Sequence, residues 1–378
     1  MKQLLAYCEA HLADTLETIE TLVRLESPST DKAAVDRCGT VLADMLRKAG
    51  AAVDVLQQPE RGNHLRTRFG GDGRPILILG HFDTVWPIGT LARMPVARRE
   101  GRLQGPGTFD MKAGLAIAMT ALDALRATGT AHPPVVMLWT SDEEIGSRTS
   151  RDAIEAEARR ARAVLVLEPS LPGGALKTSR KGCGEFELTA HGIAAHAGLD
   201  PGRGASAIHE LAAQIAAIER LQDLSRGISV NVGVITGGTR PNVVADEAHA
   251  VIDVRVPTSA DGHRIDAAFR ALQPLRPGTR LTVKGGFERP PLERTPGVAR
   301  LFDLARDAAR SMGRDLTEGA TGGGSDGNFT AALGVPTLDG LGPIGDGAHA
   351  HHEHVVVSEL PWRAALVAAL LNRMQAVE

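Results

Sequence analysis

Cysteine is scarce in this chain of 378 residues: Cys8, Cys38 and Cys183 stand far apart, and no CxxC pair occurs. An odd, scattered set builds no disulfide frame and fits a reducing compartment. Long basic runs are absent and the net charge is only -3, which argues against nucleic acid as a partner. No apolar run is long enough to span a membrane. The opening MKQLLAYCEAHLADTLETIETLVRLESPST does not read as a secretory leader either, because Glu9, Asp14, Glu17 and Glu20 interrupt any apolar core. Its Leu5, Leu12, Leu16, Ile19 and Val23 recur at helical spacing instead, predicting one amphipathic helix that ends before Pro28. Internal repeats and low-complexity tracts are missing too. These absences leave a cytoplasmic globular protein with no membrane or nucleic-acid partner.

What is present is ordinary for such a protein, with 43% hydrophobic and 23% charged residues, apart from 42 glycines. That many glycines implies tight turns or close backbone approaches. The length exceeds what one core usually supports, so two domains are expected. Up to about residue 180, apolar strands such as PILILGHFDTV and AVLVLEPS alternate with helices such as MKAGLAIAMTALDALRATG. That rhythm predicts an α/β fold with a mostly parallel sheet and helices on both faces. From 181 to 290 the order becomes β-α-β-β-α-β, the ferredoxin-like unit. The α/β pattern then resumes. The chain thus divides into a discontinuous domain, 1–180 and 291–378, and an inserted domain, 181–290, whose sheet has a free edge suited to pairing.

The stretch PVVMLWTSDEEIGS turns from composition to chemistry. A strand fit for the interior ends on Asp142, Glu143 and Glu144, and burial of uncompensated carboxylates is very costly. Two other strands of the first domain end in the same manner, one on His81 and Asp83, one on Glu168. Sites in open α/β sheets form at the carboxyl ends of strands. Asp110, in GPGTFDMKAG, precedes a helix and reads either as an N-cap or as a ligand. Near the end, GDGAHAHHEHV offers His349, His351, His352 and His354, with a solvated polar loop as the plainer alternative. Imidazole and carboxylate together suit zinc, and a set this large suits two metal ions sharing a carboxylate. One of two adjacent glutamates can then bind metal while its neighbour serves as a base.

The ordered set GHFDTV, GPGTFDMKAG, SDEEIGS, VLEPS, HGIAAHAG and HAHHEHV resembles the dizinc aminoacylase and glutamate carboxypeptidase family of metallopeptidases. That family includes succinyl-diaminopimelate desuccinylase and acetylornithine deacetylase. The resemblance spans nearly the whole chain and looks nearest to the glutamate carboxypeptidases. It implies two zinc ions per subunit, with cobalt or manganese as alternatives. Asp110 would bridge them, His81 and Glu168 would complete one site, and Glu144 and His349 the other. His349 is chosen among its neighbours because Glu353 follows it by four residues, as in the family. Glu143 would be the general base and Asp83 would orient His81. The resemblance also implies a cis peptide at Asp110–Met111.

For the inserted domain, the resemblance makes His196 a donor to the scissile carbonyl oxygen in the other subunit of a homodimer. Asn242 and Arg255, thirteen residues apart, match the family's substrate-binding pair, and Arg289 is a second candidate contact for a carboxylate. TGGGSDGNF has glycines like a phosphate loop but lacks its lysine. In the family it borders the substrate carboxylate, which marks Gly323 and Gly324.

The implied activity is hydrolysis of the amide bond of N-acyl amino acids or short peptides with a free carboxylate, glutamate being one candidate for the released residue. A deacylase of the desuccinylase or acetylornithine deacetylase type is the nearest alternative. A metal-binding protein without turnover and a two-metal phosphoesterase are the alternatives from other classes.

Overall fold

The computed structural model describes residues 1–375 and divides them into two compact units. The first comprises Met1–Ser179, Arg294–Thr321 and the chain from Ser325 on; the second comprises Arg180–Glu293 and Gly322–Gly324.

A six-stranded sheet forms the centre of the first unit. Its strands run in the order Ala52–Leu56, His64–Phe69, Val135–Thr140, Ile76–His81, Ala163–Val166 and Thr337–Leu338. The first two junctions are antiparallel and the last three parallel. Both faces are covered, which is why the strand reads ILILGH without polar alternation. Ile76 and Ile78 join one core with helices Leu12–Arg24, Ala113–Ala127 and Leu360–Gln375. Leu77 and Leu79 point the other way, against Ile154, Ala158 and Phe329. Each such fully buried side chain stabilises the fold by about 1.5–3 kcal/mol.

The N-terminal segment departs from the single helix that its periodicity predicts. It forms two helices, Lys2–Ala10 and Leu12–Arg24, broken at His11, whose φ of -107° and ψ of 20° are not helical. The His11 ring stacks on Tyr7 at 3.9 Å, and its Nδ1 lies 2.8 Å from the Tyr7 carbonyl oxygen. This local side-chain contact leaves the apolar spacing intact, so the pattern runs across the break.

The second unit is a four-stranded antiparallel sheet in the order Ser229–Gly237, Glu247–Val256, Gly182–His191 and Arg280–Arg289. With helices Ala207–Glu219 and Ser259–Arg270 it gives the β-α-β-β-α-β order. Burial alternates along Gly182–His191, as period two requires of a sheet covered on one face. Phe186, Leu188 and Ala190 enter a core with Leu211, Ile265 and Phe269, while Cys183, Glu185 and Glu187 face outward. Gly322–Gly324 cluster here because the Arg180 guanidinium donates to the carbonyls of Gly323 and Gly324 at 3.1 and 2.9 Å. Among the described residues no helix is long and apolar enough to cross a membrane.

Candidate metal centre

Three parallel strand ends and one hairpin converge at the carboxyl edge of the six-stranded sheet. Strand Ile76–His81 delivers His81, which is 1% exposed. Two residues on, the buried Asp83 works through both carboxylate oxygens. It accepts from the backbone N–H of Glu143 at 3.3 Å and of Glu144 at 3.2 Å, and from Ser29 Oγ at 2.6 Å. Its Oδ1 also lies 3.4 Å from His81 Nδ1. Asp83 therefore fastens the His81 ring and the SDEE turn to each other. The turn itself is a short 3-10 segment, Glu143–Ile145, closed by Gly146 at a φ of 94°.

Asp110 sits in a π-type turn, Thr108–Lys112, that leads into helix Ala113–Ala127, and the Asp110–Met111 peptide is cis. Gly107 opens this turn at a φ of 73°, and a Cβ there would stand 2.4 Å from Thr84 Cγ2. Only glycine serves both demands.

His349 arrives by a route that the sequence did not reveal. Strands Gly345–Asp346 and His354–Val356 pair as a short hairpin, and His354–Val356 also pairs with Arg102–Gln104. The hairpin connection carries His349, at a φ of 60°. Among the described residues, His349 is the one of the four histidines in this stretch that pairs with the carboxylate cluster. Its Nε2 lies 3.0 Å from Glu144 Oε2 and 3.5 Å from Asp110 Oδ2. His351 packs its ring 5.5 Å from Trp86, His352 faces Asp346, and His354 Nδ1 lies 2.9 Å from the His352 carbonyl oxygen.

The two oxygens of Asp110 thus face two imidazoles. Oδ1 is 3.2 Å from His81 Nε2, which is also 3.5 Å from Glu168 Oε1. Oδ2 faces His349 and, beyond it, Glu144. Two groups of potential ligand atoms, each within 4.8 Å, emerge: His81 with Glu143 and Glu168, and His81 with Asp110 and Glu144. The adjacent glutamates fall into different groups.

The acids and imidazoles of the site shift one another's charge. Burial pushes the Glu144 carboxyl up to about 7, against the pull of His349. Asp110 and Glu144 raise His349 to about 10. Burial opposes a charged His81 ring, yet Asp110, Asp83 and Glu168 outweigh it and hold its pKa well above the ordinary value. For Asp110, burial again opposes ionisation, and the hydrogen bonds from His349 and His81 prevail, keeping the carboxyl far below the usual range. Glu144 Oε1 is buried and makes no hydrogen bond. An orphaned buried carboxylate oxygen beside imidazole nitrogens fits a divalent cation, and the nitrogen and oxygen donor set suits zinc.

Glu353 holds the centre together, and its function was not apparent from the sequence beyond its spacing from His349. Fully buried, it accepts from the N–H groups of Gly107, Phe109 and Asp110 at 2.9, 2.9 and 3.0 Å and from Trp86 Nε1 at 2.8 Å. A buried acid four residues past a ligand histidine was the available signal. Lys112 is a second such residue: its buried Nζ donates to the carbonyls of Leu22 and Leu25, both at 2.9 Å, at the end of a helix.

The remaining predicted residues lie in the second unit, in two places. His196 is exposed, and its Nδ1 accepts from the N–H groups of Gly198 and Leu199, both at 3.1 Å. In neutral imidazole this leaves the proton on Nε2. Asn242 is beside it, with its carbonyl accepting from Ala197 N at 3.0 Å. Arg255 and Arg289 flank Cys183 in register, and a Cβ on Gly324 would lie 3.0 Å from Arg289 Cδ.

Known proteins of the same build bear on this geometry. Carboxypeptidase G2 of Pseudomonas sp. (strain RS-16) is 29% identical over 368 residues, which cover 94% of this chain and 88% of that protein. Succinyl-diaminopimelate desuccinylase of Stenotrophomonas maltophilia (strain R551-3) is 30% identical over 359 residues, 89% of this chain and 93% of that one. Among solved structures, aminopeptidase PepT from Bacillus cereus ATCC 10987 superposes with a TM-score of 0.79 at 23% identity, over 96% of this chain and 99% of that one. The M20 family metallo-carboxypeptidase Sso-CP2 from Sulfolobus solfataricus gives 0.71 at 16% identity, over 95% and 99%. At these identities the structural likeness speaks for the fold. Residues 77–373 match the Peptidase family M20/M25/M40. The chain therefore belongs to that family, and it is a hydrolase of amide bonds.

Proposed function

We propose that this hydrolase carries two zinc ions per subunit and acts from the carboxyl end of its substrate, cleaving N-acyl amino acids or short peptides that bear a free carboxylate. One observation carries the metal reading: the two oxygens of Asp110 face His81 and His349 separately. His81, Asp110 and Glu168 would hold one ion, and Asp110, Glu144 and His349 the other. When bound, such a pair lowers the pKa of a shared water towards about 7 and polarises the substrate carbonyl.

The chain's own groups do the rest. Glu143 takes a proton from the water on its carboxylate and returns it to the leaving amine nitrogen. Asp83 fixes the His81 ring and the backbone of Glu143, so ligand and base keep their relative places. His196 donates from Nε2 to the carbonyl oxygen as charge develops there. Arg255 holds the substrate carboxylate, with Arg289 and the backbone at Gly323 and Gly324 as further contacts, while Asn242, which lies beside His196, reaches the substrate from the other copy. A guanidinium matches a carboxylate bidentately. Glutamate is the residue we expect to be released, in keeping with the resemblance of the motifs to those of the glutamate carboxypeptidases.

The protein works as a homodimer in this reading, and distance within the second unit supports it. From Cys183, the register partner of Arg255, to His191 the strand climbs roughly 25 Å at about 3.3 Å per residue. The chain then continues past that end to His196. A small substrate held by Arg255 therefore needs His196 from another copy. Edge strand Ser229–Gly237, with Val234 and Ile235 exposed at 51% and 58%, is a surface on which two copies can pair. Free thiols at Cys8, Cys38 and Cys183 suit the cytoplasm.

A second reading, a deacylase of the desuccinylase type, is favoured by the likeness to succinyl-diaminopimelate desuccinylase. One set of assays separates the readings: zinc content by mass spectrometry, and turnover of N-acyl amino acids, N-succinyl diamines and phosphoesters before and after chelation. Chelator-sensitive release across N-acyl amino acids, fastest for glutamate, is expected. Metal binding without turnover on any amide would sink the proposal.

A further inference from the structure

The outward face of the second unit's sheet carries a row of register partners, Arg255, Cys183 and Arg289 on three adjacent strands. The guanidinium of Arg255 is gripped from two directions. Asp253 precedes it by two residues on one strand and so shares its face. That carboxylate accepts from Nε at 2.9 and 3.1 Å and from Nη2 at 2.7 Å. Nη1 donates to Cys183 Sγ on the neighbouring strand.

A guanidinium has five N–H groups. Asp253 engages one on Nε and one on Nη2, and the sulfur engages one on Nη1. One N–H then remains on each Nη nitrogen. With the sulfur on the Nη1 hydrogen nearest Cδ, these two form an end-on pair that matches the two oxygens of a carboxylate, and a fork already held in place loses less freedom on binding.

We infer that Cys183 and Asp253 are positioning residues that set Arg255 with its end-on N–H pair directed at the substrate's free carboxylate, and so enforce the preference for carboxylate over amide ends. This rests on the proposed role of Arg255 as the carboxylate contact. Cysteine suits the place because it combines small volume with a weak acceptor between two arginines. A valine of similar bulk would remove the acceptor, and a serine would keep one.

The test compares the parent with Cys183→Ser, Cys183→Val, Asp253→Asn and Arg255→Ala. Cys183 is half-buried and the Asp253 side chain is 46% exposed, so these variants retain the core. Substrates are N-acetyl-L-glutamate, N-acetyl-L-leucine and N-benzoylglycine, each with its α-amide. Cys183→Val and Asp253→Asn should raise KM for the free carboxylates about tenfold. Their kcat should be near that of the parent, their rates on the amides should not change, and Cys183→Ser should behave like the parent. A readout independent of turnover is the guanidinium 15N spectrum. Arg255 should give resolved, slowly rotating Nη signals in the parent that average in Cys183→Val and Asp253→Asn. Parent-like KM and resolved Nη signals in both variants, with KM raised in Arg255→Ala, would overturn the inference alone. An unchanged KM in Arg255→Ala would instead overturn the carboxylate reading beneath it.

Discussion

The two units handle their chemistry in opposite ways. In the first, every candidate ligand touches another: His81 meets Asp110, Glu168 and Asp83, and His349 meets Asp110 and Glu144. Their backbones are tied by Asp83 and Glu353, mostly out of solvent. In the second, His196 and Asn242 are exposed and lie at the far end of the sheet from Arg255. The first arrangement is complete in one chain, and its charges call for cations. The second is a set of contacts still waiting for something to bind. Buried polar networks fix geometry because every misplaced group is penalised, whereas exposed groups can be placed sparsely and gain their partners only on assembly.

The sharpest contrast should lie inside the first unit. Glu143→Gln removes the proposed base without a ligand, so kcat should fall by about 10²–10⁴ while two zinc ions are retained. Glu144→Gln should lose one of them. Equal metal loss in both variants would erase the distinction that their separate groups suggest. Next in size is Glu353→Gln. Glutamine keeps one oxygen but puts an NH₂ at the other, so two of the four hydrogen bonds that Glu353 now receives are lost. We expect zinc affinity to drop about 10–100-fold, read by competition with a chelator, with helix content unchanged by circular dichroism. Parent-like affinity would mean that the clamp does not position Asp110.

The second unit is tested by mixing. Glu143→Ala and His196→Ala should each be inactive. Co-expressed with different tags, they should form roughly half mixed dimers and recover about a quarter of the parent's sites. Confirmed mixed dimers without recovered activity would confine His196 to its own chain.

The smallest effect concerns protons. His349 at about 10 in the metal-free protein is raised above the ordinary 6.5, so it is charged at pH 7. It then adds to the stability of the metal-free fold below about 6.5, and that contribution is lost as pH rises through about 10. Glu144 at about 7 is partly protonated as well. His81, held well above its ordinary value, is charged too, and metal ligands must be deprotonated, so zinc uptake at pH 7 should expel about two to three protons. Calorimetry in buffers of different ionisation enthalpy counts them, and identical heats in all buffers would contradict the assignment.

Much of this was legible in the sequence because it lies in strong local signals. Continuous apolar runs mark strands covered on both faces, and acids or imidazole at their ends mark the carboxyl edge of the sheet. The β-α-β-β-α-β order of the second unit follows from period alone. What escaped was set by contacts across the chain. The hairpin that presents His349 pairs strands of two and three residues, too short to show a period. The break at His11 comes from one ring contact that leaves the apolar spacing undisturbed. Glu353 resembled a register mark for a histidine, because its partners lie 243 to 267 residues away.

That separation gives the Glu353 clamp a temporal meaning. The turn carrying Asp110 leaves the ribosome long before the carboxylate that secures it. At about 5–20 residues per second, the 243 residues between them take tens of seconds to synthesise. Early in that interval the chain holds His81 and Asp110 and adds Glu144 and Glu168, while His349 and the clamp do not yet exist. The second unit, with a core of its own, is translated entirely within that window. The candidate centre is thus closed late, by the same short segment that supplies its last histidine, so on the proposed two-ion reading a nascent chain has no complete site before its sheet is nearly done.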